Sequence, residues 1–120
     1  MKELLKRINY GYDGLIRSIL IKPSYYAEVT ISVMDYLNDN EWINIKFLIK
    51  DIVEFKVLQN KNTSNTVLSS GIKMKVIDNV HYIDFAPYSD EIDTINDFRQ
   101  SEVYFAANNL EWKIEQYSEN

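Results

Sequence analysis

Two runs of alternating apolar and polar residues flank the tripeptide Asn38-Asp39-Asn40. In the first, Val29, Ile31 and Val33 alternate with Glu28, Thr30 and Ser32. In the second, Ile43, Ile45, Phe47 and Ile49 alternate with Asn44 and Lys46. Side chains on a strand point to opposite faces with period two, so such runs can bury one continuous apolar face only as β-strands. Asn and Asp accept the left-handed backbone that a tight reversal needs. The pattern therefore predicts a β-hairpin of residues 28–36 and 41–49.

The same period recurs along most of the chain. Residues 15–22 form a strand candidate ended by Pro23, and Val53, Phe55 and Val57 form another after a bend at Lys50-Asp51. Ile72, Met74 and Val76 alternate, Asp78-Asn79 reads as a tight turn, and residues 80–86 are its return strand. Residues 101–107 and 110–117, separated by Asn108-Asn109, predict a last hairpin. Helical expectations are short. Residues 2–9 carry Leu4, Leu5 and Ile8 on one side, residues 66–70 form a turn closed by Gly71, and residues 88–99 read as an acidic loop or a short helix. Gln59 to Asn65 is a polar loop expected to be mobile. No repeat or linker divides the chain, so 1–120 is expected to be one β-rich domain. The fold class is mainly β (β-rich α+β): an antiparallel sandwich, a curved sheet or an incomplete barrel of about seven or eight strands with one or two short helices.

The chemistry of the side chains narrows the function classes. The chain has no cysteine, which removes disulfides, thiolate metal sites and thiol nucleophiles. It has one histidine, His81, which alternates with Ile83 and Phe85 and reads as a packed strand residue. Phosphate-binding glycine loops, Gly-x-Ser-x-Gly and His-Glu-x-x-His are absent. The run from Asp90 to Asp97 lacks the central glycine of a calcium loop and has Ile92 at a ligand position. No enzyme, metal or cofactor is expected. A net charge of −5 opposes phosphate attraction, so no nucleic-acid partner is expected. The N-terminus lacks the apolar core of a signal peptide, and no apolar run is long enough for a membrane helix, which makes a cytoplasmic protein the expectation.

The charges are unevenly distributed. Residues 77–120 hold ten acids against two bases, a net −8, whereas residues 1–76 hold eleven bases against eight acids, a net +3. Such asymmetry bears on partners and encounter rates, not on fold. Aromatic residues thread the acidic stretch, and Tyr is enriched at interface hot spots. Tyr88, Asp90, Glu91, Asp93, Asp97 and Tyr104 are accordingly the candidate partner-binding residues. Trp112, in register with Leu110 and Ile114, is expected in the core. Trp42 lies on the face opposite Ile43 and Ile45 and reads as a covered edge residue or an exposed anchor.

Four segments, Tyr12-Asp13-Gly14-Leu15-Ile16, Trp42 to Phe47, Ser101 to Phe105 and Leu110 to Ile114, give the chain a pattern similar to small bacterial toxin-immunity proteins. That resemblance implies a single non-catalytic domain that neutralises a cognate toxin, here through an acidic, aromatic surface facing a basic toxin domain. No individual binding residue carries over. Two other classes stay open: a carbohydrate- or small-ligand-binding β domain, and a structural subunit that forms a homodimer or a larger assembly.

Overall fold

The computed structural model describes residues 1–58 and 66–119, so the polar loop read at Gln59 to Asn65 lies outside the described residues. A short helix, α1 (Lys2–Arg7), leads through a helical turn at Asn9–Gly11 into strands β1 (Leu15–Lys22), β2 (Tyr26–Asp35) and β3 (Glu41–Val57). Strands β4 (Lys73–Ile77) and β5 (Val80–Asp84) follow, then helix α2 (Ile95–Arg99) and strand β6 (Val103–Gln116). The six strands form one open antiparallel sheet in the order β1-β2-β3-β6-β5-β4.

The predicted hairpin is present. Val33 faces Ile43, Ile31 faces Ile45 and Val29 faces Phe47, so the two apolar sets share one side of the sheet. Asp39 and Asn40 both take positive φ, at 53° and 58°, as the reversal requires. Asp78 and Asn79 do the same between β4 and β5, at 51° and 67°.

The described residues form six strands in a single sheet, where a sandwich and a count of seven or eight had been among the expectations. The bend at Lys50-Asp51 and the turn at Asn108-Asn109, which raised the count, both lie within continuous strands. At Asp51 (φ 55°) β3 bends, and a bulge between Ile52 and Glu54 lets it continue to Val57. A bulge bends a strand and sharpens its twist without ending the ladder. Opposite this bend, Asn108 and Asn109 run on as extended β6, and the Asn108 amide donates to Asp51 Oδ2 at 2.8 Å. Neither asparagine has the positive φ of a two-residue turn. The helical turn expected at residues 66–70 is instead a bridge from Val67 to Leu15, followed by Gly71 at φ 72°, where a Cβ would lie 2.7 Å from the Tyr10 carbonyl oxygen.

Each face of the sheet carries a core. On one side Leu4, Leu5 and Ile8 join Ile31, Ile45, Phe47, Ile72, Phe85 and Phe105. On the other, Phe98 of α2 packs on Tyr82, Tyr104 and Ala106. Arg7 fastens α1 to the end of β2 through two hydrogen bonds to the buried Asp35 carboxylate, at 2.8 and 2.6 Å. Strand β5 meets β6 only from His81 opposite Ala107 to Asp84 opposite Tyr104. Beyond Ala107, β6 pairs with β3 alone, and its other edge is open. Trp112 therefore departs from its expected core position: it faces the same side as Phe47 but is 38% exposed, because no strand covers it from the open edge.

Candidate functional site

The segment from Tyr88 to Asp97 enters α2 as an organised turn. Thr94 is the N-cap, its side chain accepting from the Asp97 amide at 3.2 Å, while Asp97 Oδ2 accepts from the Thr94 amide at 2.9 Å. This reciprocal pair satisfies amides that a helix start leaves without partners. Asp97 also accepts from the Asp93 amide at 3.0 Å and, through Oδ1, from the Tyr88 hydroxyl at 2.9 Å. These donors hold the Asp97 carboxyl well below the usual range, at about 2, with the Thr94 amide the largest cause, and the Tyr88–Asp97 bond raises the Tyr88 hydroxyl. Lys75 of β4 donates to the Asp93 carbonyl at 3.0 Å and is paired with its carboxylate.

Three of the six candidate residues, Tyr88, Asp93 and Asp97, thus meet in one turn and are engaged with the protein itself. Asp90 and Glu91 stand at the exposed tip of that loop, and among the described residues neither is paired with a cation. Tyr88 leaves most of its ring in solvent, 58% exposed, beside a cleft of about 300 Å³ that Pro87, Val67 and Glu102 also line. Tyr104 lies apart from this loop. It is 5% exposed, packed beneath α2 with Phe98, and its hydroxyl donates to Glu54 at 3.2 Å. Burial, then the Glu54 charge, raise its hydroxyl. The acids near Tyr104 in sequence suggested a polar register, but α2 covers that face of the sheet.

The fold also redistributes the charge asymmetry. Lys46 pairs with Glu115, Lys50 with Glu111 and Lys75 with Asp93, each joining a base of the first 76 residues to an acid of the last 44. Glu54 and Arg99 form the reverse pair through two bonds of 3.0 Å. Part of the sequence-level split is therefore complementarity within the fold, two of these pairs joining β3 to β6. Among the described residues Asp78, Asp90, Glu91, Glu102 and Glu119 of the acidic half stay exposed without a cation, and of these Asp90 and Glu91 are adjacent in one loop.

Two features lay beyond sequence reading. Ile21, Tyr25, Val53 and Phe55 line an exposed apolar cleft of about 450 Å³, assembled because the β3 bulge brings Val53 and Phe55 beside the β1–β2 turn. Asp84, at the end of β5, is fully buried; its Oδ1 accepts from Ser101 Oγ at 2.5 Å and from the Ala86 amide at 2.9 Å, while Oδ2 has no partner. Burial pushes its carboxyl up to about 6. Ser101 is equally buried, so this pair braces the chain between β5 and β6 instead of presenting a nucleophile to solvent. Among the described residues no three His, Cys, Asp or Glu side chains are grouped to hold a metal ion, and no helix is long and apolar enough to cross a membrane.

The site belongs to an open, six-stranded antiparallel sheet with a capped acidic turn over one face. No family model, curated protein or solved structure matches the chain.

Proposed function

We propose that this chain is a non-enzymatic protein-binding domain whose partner presents a basic surface to the loop that carries Tyr88, Asp90 and Glu91. The observation that carries the reading is the state of that loop. Its two tip carboxylates have no cation among the described residues, while the turn behind them is held by Asp97, Thr94 and Lys75. A braced loop loses little conformational freedom on binding, which favours affinity. Unpaired acids steer a basic partner toward it, and the exposed Tyr88 ring offers an aromatic anchor. A toxin domain neutralised by an immunity protein would be a partner of this kind.

The test is affinity capture from the native lysate at low salt with wild type and with Tyr88→Ala/Asp90→Lys/Glu91→Lys side by side. A basic protein retained by the wild type, released by salt and lost from the triple variant supports the proposal. A partner retained equally by both, or no basic partner at low salt, rejects this loop as the binding surface.

A further inference from the structure

The open edge of β6 is a second interaction surface, and its chemistry names its occupant. From Asn108 to Gln116 the strand pairs with β3 on one side only, and among the described residues no backbone hydrogen bond from another element reaches it. Exposed strand edges are templates for pairing with another chain, and proteins usually blunt them with bulges, prolines, very short strands or charged side chains. The charged side chains here are Glu111, Lys113 and Glu115, which must find opposite charges, or at least no like ones, across any pair. This edge has no proline or glycine, and its ladder with β3 runs without a register shift from Asn109 to Gln116. Trp112 and Ile114, on the core side, are 38% and 43% exposed along it.

We infer that this edge pairs antiparallel with the same edge of a second copy of the chain, about a two-fold axis through Trp112. A two-fold axis normal to the sheet keeps the same face up in both copies, so residues of equal parity must oppose one another. With Trp112 opposite Trp112, Leu110 faces Ile114 twice on the core side and Glu111 faces Lys113 twice on the outer side. Opposite charges and large apolar pairs directly across strands are favourable, and like charges there are unfavourable. Moving the axis one step to Lys113 sets Lys113 against Lys113 and Glu111 against Glu115. Moving it to Glu111 sets Glu111 against itself. An axis at Ile114 retains the Lys113–Glu115 attraction but leaves Leu110 opposite Ser118 and Trp112 opposite Gln116. The Trp112 register alone matches both faces.

The ion pairs within one chain fit this choice. Glu111 and Glu115 are each held by a lysine of β3, whereas Lys113 has no carboxylate among the described residues. In the pair, Glu111 of one copy supplies it. The result is a continuous twelve-stranded sheet in which the two Trp112 rings close the uncovered ends of both cores. This surface is separate from the Tyr88 loop, and neither proposal depends on the other.

Sedimentation of the full chain tests the mass, and charge reversal tests the register. The wild type is expected at twice the 14.2 kDa chain mass. Lys113→Glu places Glu opposite Glu111, and Glu111→Lys places Lys opposite Lys113, so each variant alone is expected as a monomer. Mixed in equal amounts they restore both attractions, and the doubled mass should return. A monomeric wild type, a dimer indifferent to both substitutions, or a mixture that stays monomeric would each overturn the inference. A second readout does not depend on those variants folding. The chain has no cysteine, and residues opposed across an antiparallel pair have Cα atoms about 4.5–5.5 Å apart, within disulfide reach. Trp112→Cys is expected to cross-link to itself under mild oxidation and Lys113→Cys is not; the reverse pattern, or no cross-link from Trp112→Cys, rejects this register.

Discussion

Replacing Asp84 by Asn should stabilise the protein at neutral pH and leave that gain pH-dependent. The Asp84 carboxylate is fully buried, with two donors on Oδ1, none on Oδ2 and no cation paired with it. Its pKa is raised from 3.8 to about 6 by burial, against the opposing effect of the Ser101 and Ala86 bonds. A raised carboxyl favours the neutral form in the folded state. Its contribution to stability is therefore complete below 3.8 and is lost as pH rises through about 6. A rise from 3.8 to about 6 corresponds to roughly 3 kcal/mol of stability lost by pH 7. Asn stays neutral throughout, and its carbonyl can keep both donors. Its amino group takes the place of the unpartnered Oδ2 and costs about 1 kcal/mol as an unsatisfied donor. The expected net gain is about 2 kcal/mol above pH 7, vanishing or reversing near pH 4. Urea unfolding of both proteins between pH 4 and pH 8 measures the difference, in which the other titrating groups cancel. A difference that stays flat across this range, or an Asn variant less stable at pH 7.5, would refute the argument that the charged form is penalised in its site.

Three further outcomes follow from the packing. Arg7→Ala leaves the buried Asp35 carboxylate without its two charged hydrogen bonds; because the Arg7 side chain is one-third exposed, the loss should be nearer 2 kcal/mol than the 3–5 of a fully buried pair, read by denaturant midpoint. Asp35 is held below the ordinary carboxylate range, chiefly by its Arg7 hydrogen bond, so this stabilisation should be present above 3.8 and disappear as pH falls below it. Phe98→Ala removes the only fully buried side chain of α2 and should cost about 3–5 kcal/mol, with a loss of near-ultraviolet dichroism from Tyr82 and Tyr104. Gly14→Ala would set a Cβ 2.9 Å from the Ser32 carbonyl oxygen and 2.6 Å from a Val33 methyl, and should destabilise by about 1–3 kcal/mol because the backbone atom cannot yield; a midpoint equal to wild type would show that β1 and β2 can separate there.

The elements that sequence reading placed correctly are those whose own residues settle the matter. Ile43, Ile45, Phe47 and Ile49 share one face, so a one-residue slip would expose the whole set, and the register with β2 keeps them on the side of Val29, Ile31 and Val33. Pro23 ends β1, and the paired positive-φ residues at Asp39-Asn40 and Asp78-Asn79 reverse the chain where turn chemistry allows. Helix α2 was legible only as one of two alternatives, because Ile92, Ile95 and Phe98 are three apart while five residues of helix carry little propensity by themselves. The candidate surface was half legible. Tyr88, Asp90 and Glu91 are exposed as a loop position suggests, but the cap that engages Asp97 and the helix that covers Tyr104 depend on where α2 docks.

By itself, then, the sequence determined the strand chemistry, the hairpin and the places where the chain can reverse, since these depend on side-chain period and local backbone preference. Only the tertiary structure decided whether a polar pair such as Asn108-Asn109 turns or continues. The local cost of the two conformations is similar, and the long ladder with the bent β3 settles the choice. It likewise decided which charges face outward, because the sequence counts Glu111, Glu115 and Asp93 as acids, whereas adjacent strands bring each of them a lysine and leave Asp90 and Glu91 without one.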